Sequence, residues 1–435
     1  MRIGPRVTGT AAMVVAAVVA VAGCATDDGT APTSPAAKAG ATSPASDTAS
    51  SKPGSAAAPT SVPPSQTGMA IRTVGRINID GQRYDAPAPA DPAKPAGDGK
   101  ATCRNLSVAV AGDLTSRDGI DGAAIANGVQ LAVDRFNAAN PGCHLGLIRV
   151  DSKGNGVVAA EQAKRTVANA SVVAVIGPLT STDALAAGSV YNQAGLAALS
   201  PSATAPTLTD KGWKSFFRGV NNDDVQGEAI ARHLVTARHR KKVCVIADDT
   251  DSGAGLAQTV TQGLGSVAVP GCAANVRRGH HDYAAAVDAV VKQGADGVYF
   301  AGAARDAGAF LTALRAAAPG VLFAAGDEAN SPEFIAYAGS GADGALLSCS
   351  CAPDPAEFTK AFTEKFGTAP AQYSLEAYDL ATIVIRGIAA KHQTRARLRD
   401  YVAKYSGDGV SRHYRWAPTG DLIGNAVWLS HVGPV

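Results

Sequence analysis

From Asn105 onward, short continuous apolar runs alternate with stretches whose apolar positions recur at helical spacing. The run 107–112 precedes a stretch in which Ile125, Val129, Ala132, Val133 and Phe136 fall on one helical face. Runs at 146–151, 172–176 and 196–200 follow, with helices expected near 159–169 and 183–193. A second series opens with a helix at 224–237. Strands are then expected at 242–247, 273–276, 297–301 and 322–325, with helices between them, the first at 255–264. Strands that are apolar on both faces belong in a parallel sheet covered on both sides by helices. Two such series predict two doubly wound lobes. The last third departs from the alternation, with a strand-like run at 345–348 and helices near 355–366, 375–390 and 396–405. Strands at 414–416 and 425–430 then close the chain around Thr419-Gly420-Asp421. Helices without intervening strands must cover a sheet already built, so the chain is expected to cross back to the first lobe and finish on the second. The expected fold is α/β, two doubly wound parallel-sheet lobes joined by a multi-strand hinge. Lobe 1 takes 104–222 plus 352–405, and lobe 2 takes 223–351 plus 406–435.

The N-terminus has a different pattern. Arg2 and Arg6 precede an apolar core at 11–22, and small residues then lead to Cys24. That core falls short of the roughly 20 residues needed to span a bilayer and suits an export signal. Val21-Ala22-Gly23-Cys24 resembles a bacterial lipobox, which implies removal of 1–23 as a lipoprotein signal peptide and lipidation of the Cys24 thiol. Several acyl chains on one residue would make a stable membrane anchor. Residues 24–70 are rich in Ala, Ser, Thr and Pro, with little apolar side chain to bury, and are expected to stay a disordered tether. In 71–103, a short hairpin and linker are expected. Ile77-Asn78-Ile79 and Arg83-Tyr84 flank Asp80-Gly81 there, and a Pro-rich stretch follows.

Charge narrows the function classes. The chain carries 39 Lys+Arg and 37 Asp+Glu, so without Arg2 and Arg6 the balance is 37 − 37 = 0. A neutral chain with 5% aromatics lacks the basic surplus and stacking platforms of a nucleic-acid binder. Beyond Cys24 six cysteines remain, an even number that favours disulfides in an exported protein. Cys103 and Cys143 each stand just before a strand run, at starts that would be neighbours in a parallel sheet. Cys244 and Cys272 are related in a similar way. A local bridge within Cys349-Ser350-Cys351 would close a small, strained ring, and the pairing of these two cysteines is left open. A metal site there has no second such pair to complete four ligands, so no metal and no cofactor are expected. No phosphate-binding loop, His-Glu-x-x-His helix or Gly-x-Ser-x-Gly elbow occurs, and no enzymatic activity is expected. His280-His281 reads as a solvated loop, and Arg395, Arg397 and Arg399 as a solvated face.

Residues 174–209, AVIGPLTSTDALAAGSVYNQAGLAALSPSATAPTLT, resemble the leucine/isoleucine/valine-binding receptors of ABC importers, a type I periplasmic-binding-protein family. Phe216-Phe217-Arg218 with Asp224 and Gln226-Gly227 is a second match, and Asp248-Asp249 with Gly253-Ala254-Gly255-Leu256-Ala257 a third. The resemblance runs from about residue 105 to 432. It implies two lobes that close on an amino-acid-like ligand, a permease partner, and an extracytoplasmic location on the cell membrane. A lipoprotein that senses a ligand and signals to a membrane partner is the alternative.

The loops support that reading. In doubly wound sheets, ligands sit at the carboxyl ends of strands. Residues 177–183 follow a strand and open a helix, so unpaired N–H groups gather there. By the family's spacing, Ser181 and Thr204 match hydroxyls that hold a ligand carboxylate, and Ser202 a residue whose backbone touches the ligand. Asp327, or Glu328 after a one-residue shift, matches the acid that receives the ammonium. The same side chains also suit helix caps and turns. Where the receptors carry aromatic residues on three further pocket loops, this chain has Asp121, Ser252 and Ala303. The resemblance therefore implies a wider or more polar side-chain pocket, with Ser252 among its lining residues, rather than a branched-chain one.

Overall fold

The computed structural model describes residues 68–85, 88–115, 121–424 and 426–435. The expected signal peptide, Cys24 and the tether up to residue 67 lie outside them. The described chain opens with β1 (Met69–Ile77) and the two-residue β2 (Arg83–Tyr84). Next come β3 (Leu106–Gly112), β4 (Leu145–Asp151), β5 (Val172–Ile176), β6 (Ala197–Ser200) and β7 (Phe216–Arg218). These five form one parallel sheet in the order β4-β3-β5-β6-β7. Along β3, Val108 and Val110 enter one apolar cluster while Ala109 and Ala111 enter another. Successive side chains point to opposite faces, so a run without polar residues is what a sheet covered on both sides requires. Helices Gly122–Ala139 and Ser374–Ala389 cover one face, bringing Phe136, Ile383 and Val384 into its core.

The second sheet contains β8 (Val243–Asp248), β9 (Ala274–Val276), β10 (Gly297–Ala301), β11 (Leu322–Ala325) and β12 (Leu346–Cys349) in parallel. Phe300, Phe310, Phe323 and Phe334 fill one side of it, with Phe323 stacked on Phe334 at 5.8 Å. Each such ring stabilises the fold by about 1.5–3 kcal/mol when fully buried. This sheet is mixed rather than wholly parallel. The last strand, β15 (Val427–Pro434), lies antiparallel to β12, and β1 lies antiparallel to β15. The full order is β2-β1-β15-β12-β11-β10-β8-β9.

Both ends of the chain depart from the expected division. Met69 and Ala70, assigned to the tether, pair with Pro434 and Gly433, and 71–77 is a sheet strand rather than half of a small hairpin. After β2 the chain reaches the first lobe. Ala93 N–H donates to the Asp408 carbonyl (2.8 Å), Asn140 Nδ2 to the Ala96 carbonyl (2.9 Å), and Ala101 is buried in the first core. The boundary expected at 406 lies later. β13 (Ser406–Asp408) pairs with β14 (His413–Arg415), and Tyr414 and Trp416 are buried in the first core. Trp416 Nε1 donates to the Arg218 carbonyl (2.7 Å), and Arg218 N–H to the Gly420 carbonyl (2.9 Å). A Cβ at Gly420 would sit 2.0 Å from the Phe216 carbonyl oxygen, so only glycine permits this approach. Among the described residues after 405, only those of β15 enter the second sheet. The chain thus passes between the lobes after β2, after β7, after β12 and between β14 and β15.

Cys103 is bridged to Cys143, Cys244 to Cys272 and Cys349 to Cys351. Among the described residues no helix is long and apolar enough to cross a membrane.

Candidate functional site

The carboxyl ends of both sheets face one another. On the first lobe, β5 runs into helix Ser181–Gln193, whose N-cap is Thr180; its Oγ1 accepts from the Asp183 N–H (3.1 Å). Ser181 is therefore not the cap. Its Oγ accepts from the Ala205 N–H (3.1 Å), which leaves the hydroxyl proton for another acceptor. Ser202 Oγ donates to the Leu179 carbonyl and Ser200 Oγ to the Pro178 carbonyl, both at 2.6 Å. Arg218, fully buried, donates to the carbonyls of Ala203 (2.7 Å) and Ala205 (3.0 Å) and pairs with Asp421 (3.2 Å). The loops at 177–181 and 200–205 are thus tied to each other and to the lobe beneath them. Asp183, which accepts from Ser152 Oγ (2.7 Å), is pushed up by burial.

On the second lobe, β11 ends in a single 3₁₀ turn, Asp327–Ala329. Asp327 is buried; its carboxylate accepts from the Tyr373 hydroxyl and from Gln226 Nε2 (3.4 Å). The Asp327 carbonyl accepts from Gln372 Nε2 (2.7 Å). Tyr373 packs in the first core and sits at φ 67°, a left-handed conformation that costs a non-glycine residue about 1–2 kcal/mol. It opens helix Ser374–Ala389 and carries its hydroxyl across to the opposite lobe. Burial raises the Asp327 carboxyl above the ordinary range against its hydrogen bonds.

Asp223, at the start of helix Asp223–Thr236, joins this acid. Burial, and then the Asp327 charge, push it up to about 7, while the Thr204 hydroxyl that donates to it acts the other way. Further along, Arg278 lies 3.3 Å from Glu328 and 3.7 Å from the buried Asp248. Burial pushes Glu328 up to about 7; Arg278 opposes this and Asp248 adds to it. A Cβ at Gly253 would stand 2.1 Å from Asp248 Oδ1, so a glycine here lets helix Asp251–Leu264 begin against that carboxylate.

Between these rims lies a cavity of about 410 Å³, within the roughly 300–1,000 Å³ usual for small-ligand sites. Ser181, Ser202, Thr204, Ser252, Asp327 and Glu328 all line it. Asp121 and Ala303 do not. They line an adjoining cleft of about 1100 Å³, which shares Glu328 with the first. Asp121 is also the N-cap of helix Gly122–Ala139 (2.9 Å to the Ala124 N–H). The cavity wall includes residues that the sequence reading had not singled out, among them Asp113, Lys153, Asp223, Arg278 and Tyr373. Asp223 follows Asn222, whose side chain caps the helix by accepting from the Val225 N–H (3.1 Å). Nothing in the local pattern marks Tyr373.

Residues 105–429 match the family model described as periplasmic binding protein. An "Amino acid binding protein" of Pseudomonas aeruginosa is 28% identical over 73% of this chain and 87% of its own length. A leucine-, isoleucine-, valine-, threonine- and alanine-binding protein of the same organism is 26% identical, over 65% and 78%. Among solved structures, an ABC transporter substrate-binding protein from Desulfitobacterium hafniense in complex with Leu superposes with a TM-score of 0.63. It is 26% identical over 74% of this chain and 96% of that one. The branched-chain amino acid substrate-binding protein LivJ of Streptococcus pneumoniae, in complex with isoleucine, gives a TM-score of 0.68. At 23% identity over 76% and 100%, it speaks to the fold.

Proposed function

The chain belongs to the periplasmic binding protein family, and from that premise we propose that it captures an α-amino acid or a close analogue outside the cytoplasm and passes it to an ABC importer. The observation that carries this reading is the polarity of the cavity, with hydroxyl and backbone donors on the first lobe and buried carboxylates on the second. Ser181, with the backbone at Ser202, receives the ligand's carboxylate, joined by Thr204 when its hydroxyl turns from Asp223 to the ligand. Ser181 has a hydroxyl proton to give, and the helix beginning there adds the positive end of its dipole. Asp327 receives the ammonium, with Asp223 beside it. Two buried carboxyls with so little cationic compensation favour a ligand that brings a positive charge. Ser252 lines the far wall.

Binding couples to closure because the ligand touches both lobes, and it favours the closed state only by its extra affinity for that state. Lipidation at Cys24 and the tether that leads from it to β1 hold the folded part at the membrane, beside its permease. Leucine-, isoleucine- and valine-binding relatives support the amino-acid class.

A thermal-shift screen of the purified chain against amino acids, amides, sugars and small acids tests the reading. An amino acid should raise the midpoint with concentration as RT ln(1 + [L]/Kd) requires. Stabilisation by sugars with no response to any amino acid would show the carboxylate grip to be wrong.

A further inference from the structure

The far side of the cavity differs from its carboxylate-binding side in charge. Its wall carries Asp251 and Glu328 as well as the Asp223–Asp327 pair, with Leu256 as its aliphatic side chain. Of its two cations, Lys153 stands on the exposed loop of the first lobe, the side assigned to the ligand's carboxylate. The other, Arg278, is a single guanidinium shared by Asp248 and Glu328. That trio has a surplus negative charge. Beyond Glu328 the adjoining cleft adds Asp121, Asp354 and Glu333, the last paired with Arg305 at 3.2 Å. Among the described residues no Lys, Arg or His lines that cleft. Ser252 on one side and Ala303 on the other are small, so no bulky side chain from either position closes off Glu328.

We propose that the ligand is an α-amino acid whose side chain ends in a cation, and that Glu328, on the wall common to both cavities, receives that cation. This rests on the amino-acid reading above. A zwitterion satisfies one unit of the negative charge at Asp223 and Asp327 and leaves the Asp248–Arg278–Glu328 trio uncompensated. A lysine- or arginine-like side chain reaches past the trio and supplies the missing charge, in a partly desolvated setting where charge-assisted hydrogen bonds are strongest. Burial first, and then the Asp248 charge, raise the Glu328 carboxyl against the pull of Arg278, so one guanidinium does not offset the desolvation of this acid. An aliphatic side chain would instead set hydrocarbon against that half-buried carboxylate and add no charge to it.

Titration calorimetry of the full chain with L-lysine, L-arginine, L-glutamine, L-leucine, L-glutamate and cadaverine tests this. Lysine or arginine is expected to bind at least about tenfold more tightly than glutamine or leucine. In Glu328→Gln the preference for lysine and arginine over glutamine should vanish. Leucine or glutamate binding more tightly than lysine would overturn the proposal while leaving the amino-acid reading standing. So would an unchanged lysine affinity in Glu328→Gln. If no amino acid binds, or if cadaverine binds as well as lysine, the grip on the α-carboxylate fails and the proposal fails with it. The wild-type series decides the order of ligands even where the variant folds poorly.

Discussion

The two rims of the cavity are built on different principles. On the first lobe the polar groups are fastened before any ligand arrives. Ser181 accepts from Ala205, Ser202 donates to Leu179, Ser200 donates to Pro178, and Arg218 pins the carbonyls of Ala203 and Ala205. That rim is neutral apart from Lys153 and Asp113 and preorganised. The second rim gathers Glu328 and Asp248 around one arginine, with Asp327 and Asp223 beside them, and burial raises the Asp223, Asp327 and Glu328 carboxyls above their ordinary range. The contrast teaches where selectivity resides. A prebuilt array of donors recognises any carboxylate at little reorganisation cost. A cluster of under-compensated acids discriminates by charge, since the wrong partner leaves charges buried and unpaired.

The largest effect should come from the second rim. Asp327→Ala is expected to weaken binding of the amino acid found in the screen by about 100-fold or more, because it removes the ammonium's buried counter-charge. Calorimetry reads this, with circular dichroism to verify the fold. A loss within about threefold would reverse the ranking of the two rims. On the first rim Thr204→Val should cost about tenfold in affinity, the scale of one hydrogen bond to a charged group; because it also takes a hydroxyl from the buried Asp223, circular dichroism verifies the fold here too. Unchanged affinity would remove Thr204 from the site.

The smallest effect is electrostatic and appears without ligand. Asp223 and Glu328 titrate near 7 in the folded chain, against ordinary values of 3.8 and 4.5. Between those limits the folded state holds more protons than the unfolded one, so stability falls as pH rises from about 4 to about 7 and levels off above. The melting midpoint should therefore be a few degrees lower at pH 8 than at pH 5, and the slope should flatten in Asp223→Asn. An equally steep slope in that variant would show that Asp223 does not carry the effect.

Much of the architecture is legible in local pattern. The strands at 172–176, 297–301 and 322–325 fall where continuous apolar runs place them, because burial on both faces leaves no polar position to interrupt the run. The ends of the chain are less legible. β1 reads as a fragment too short to stand alone, and its partner β15 is supplied by the far end of the sequence. Tyr414 and Trp416 read as part of a closing strand beside 425–430, yet they are drawn into the first core. Arg395, in a basic run that suits a solvated face, instead donates to the carbonyls of Val167, Asn169 and Val172. At the cavity, loop spacing within the resemblance leads to Ser181, Ser202, Thr204 and Asp327, all of which lie on its wall. It does not lead to Tyr373, whose importance lies in a backbone angle and a hydroxyl that reaches the other lobe.

The order of apolar and polar residues by itself determined the alternating elements, the two-lobe α/β class and the loops at strand ends, since periodic burial is decided within a few turns of chain. Only the tertiary structure decided how the lobes share their ends, that Asp223 faces Asp327, and that Arg278 serves two acids at once. Those relations depend on where separate crossings of the chain bring distant residues, and charge in a dry interior acts through space rather than along the sequence.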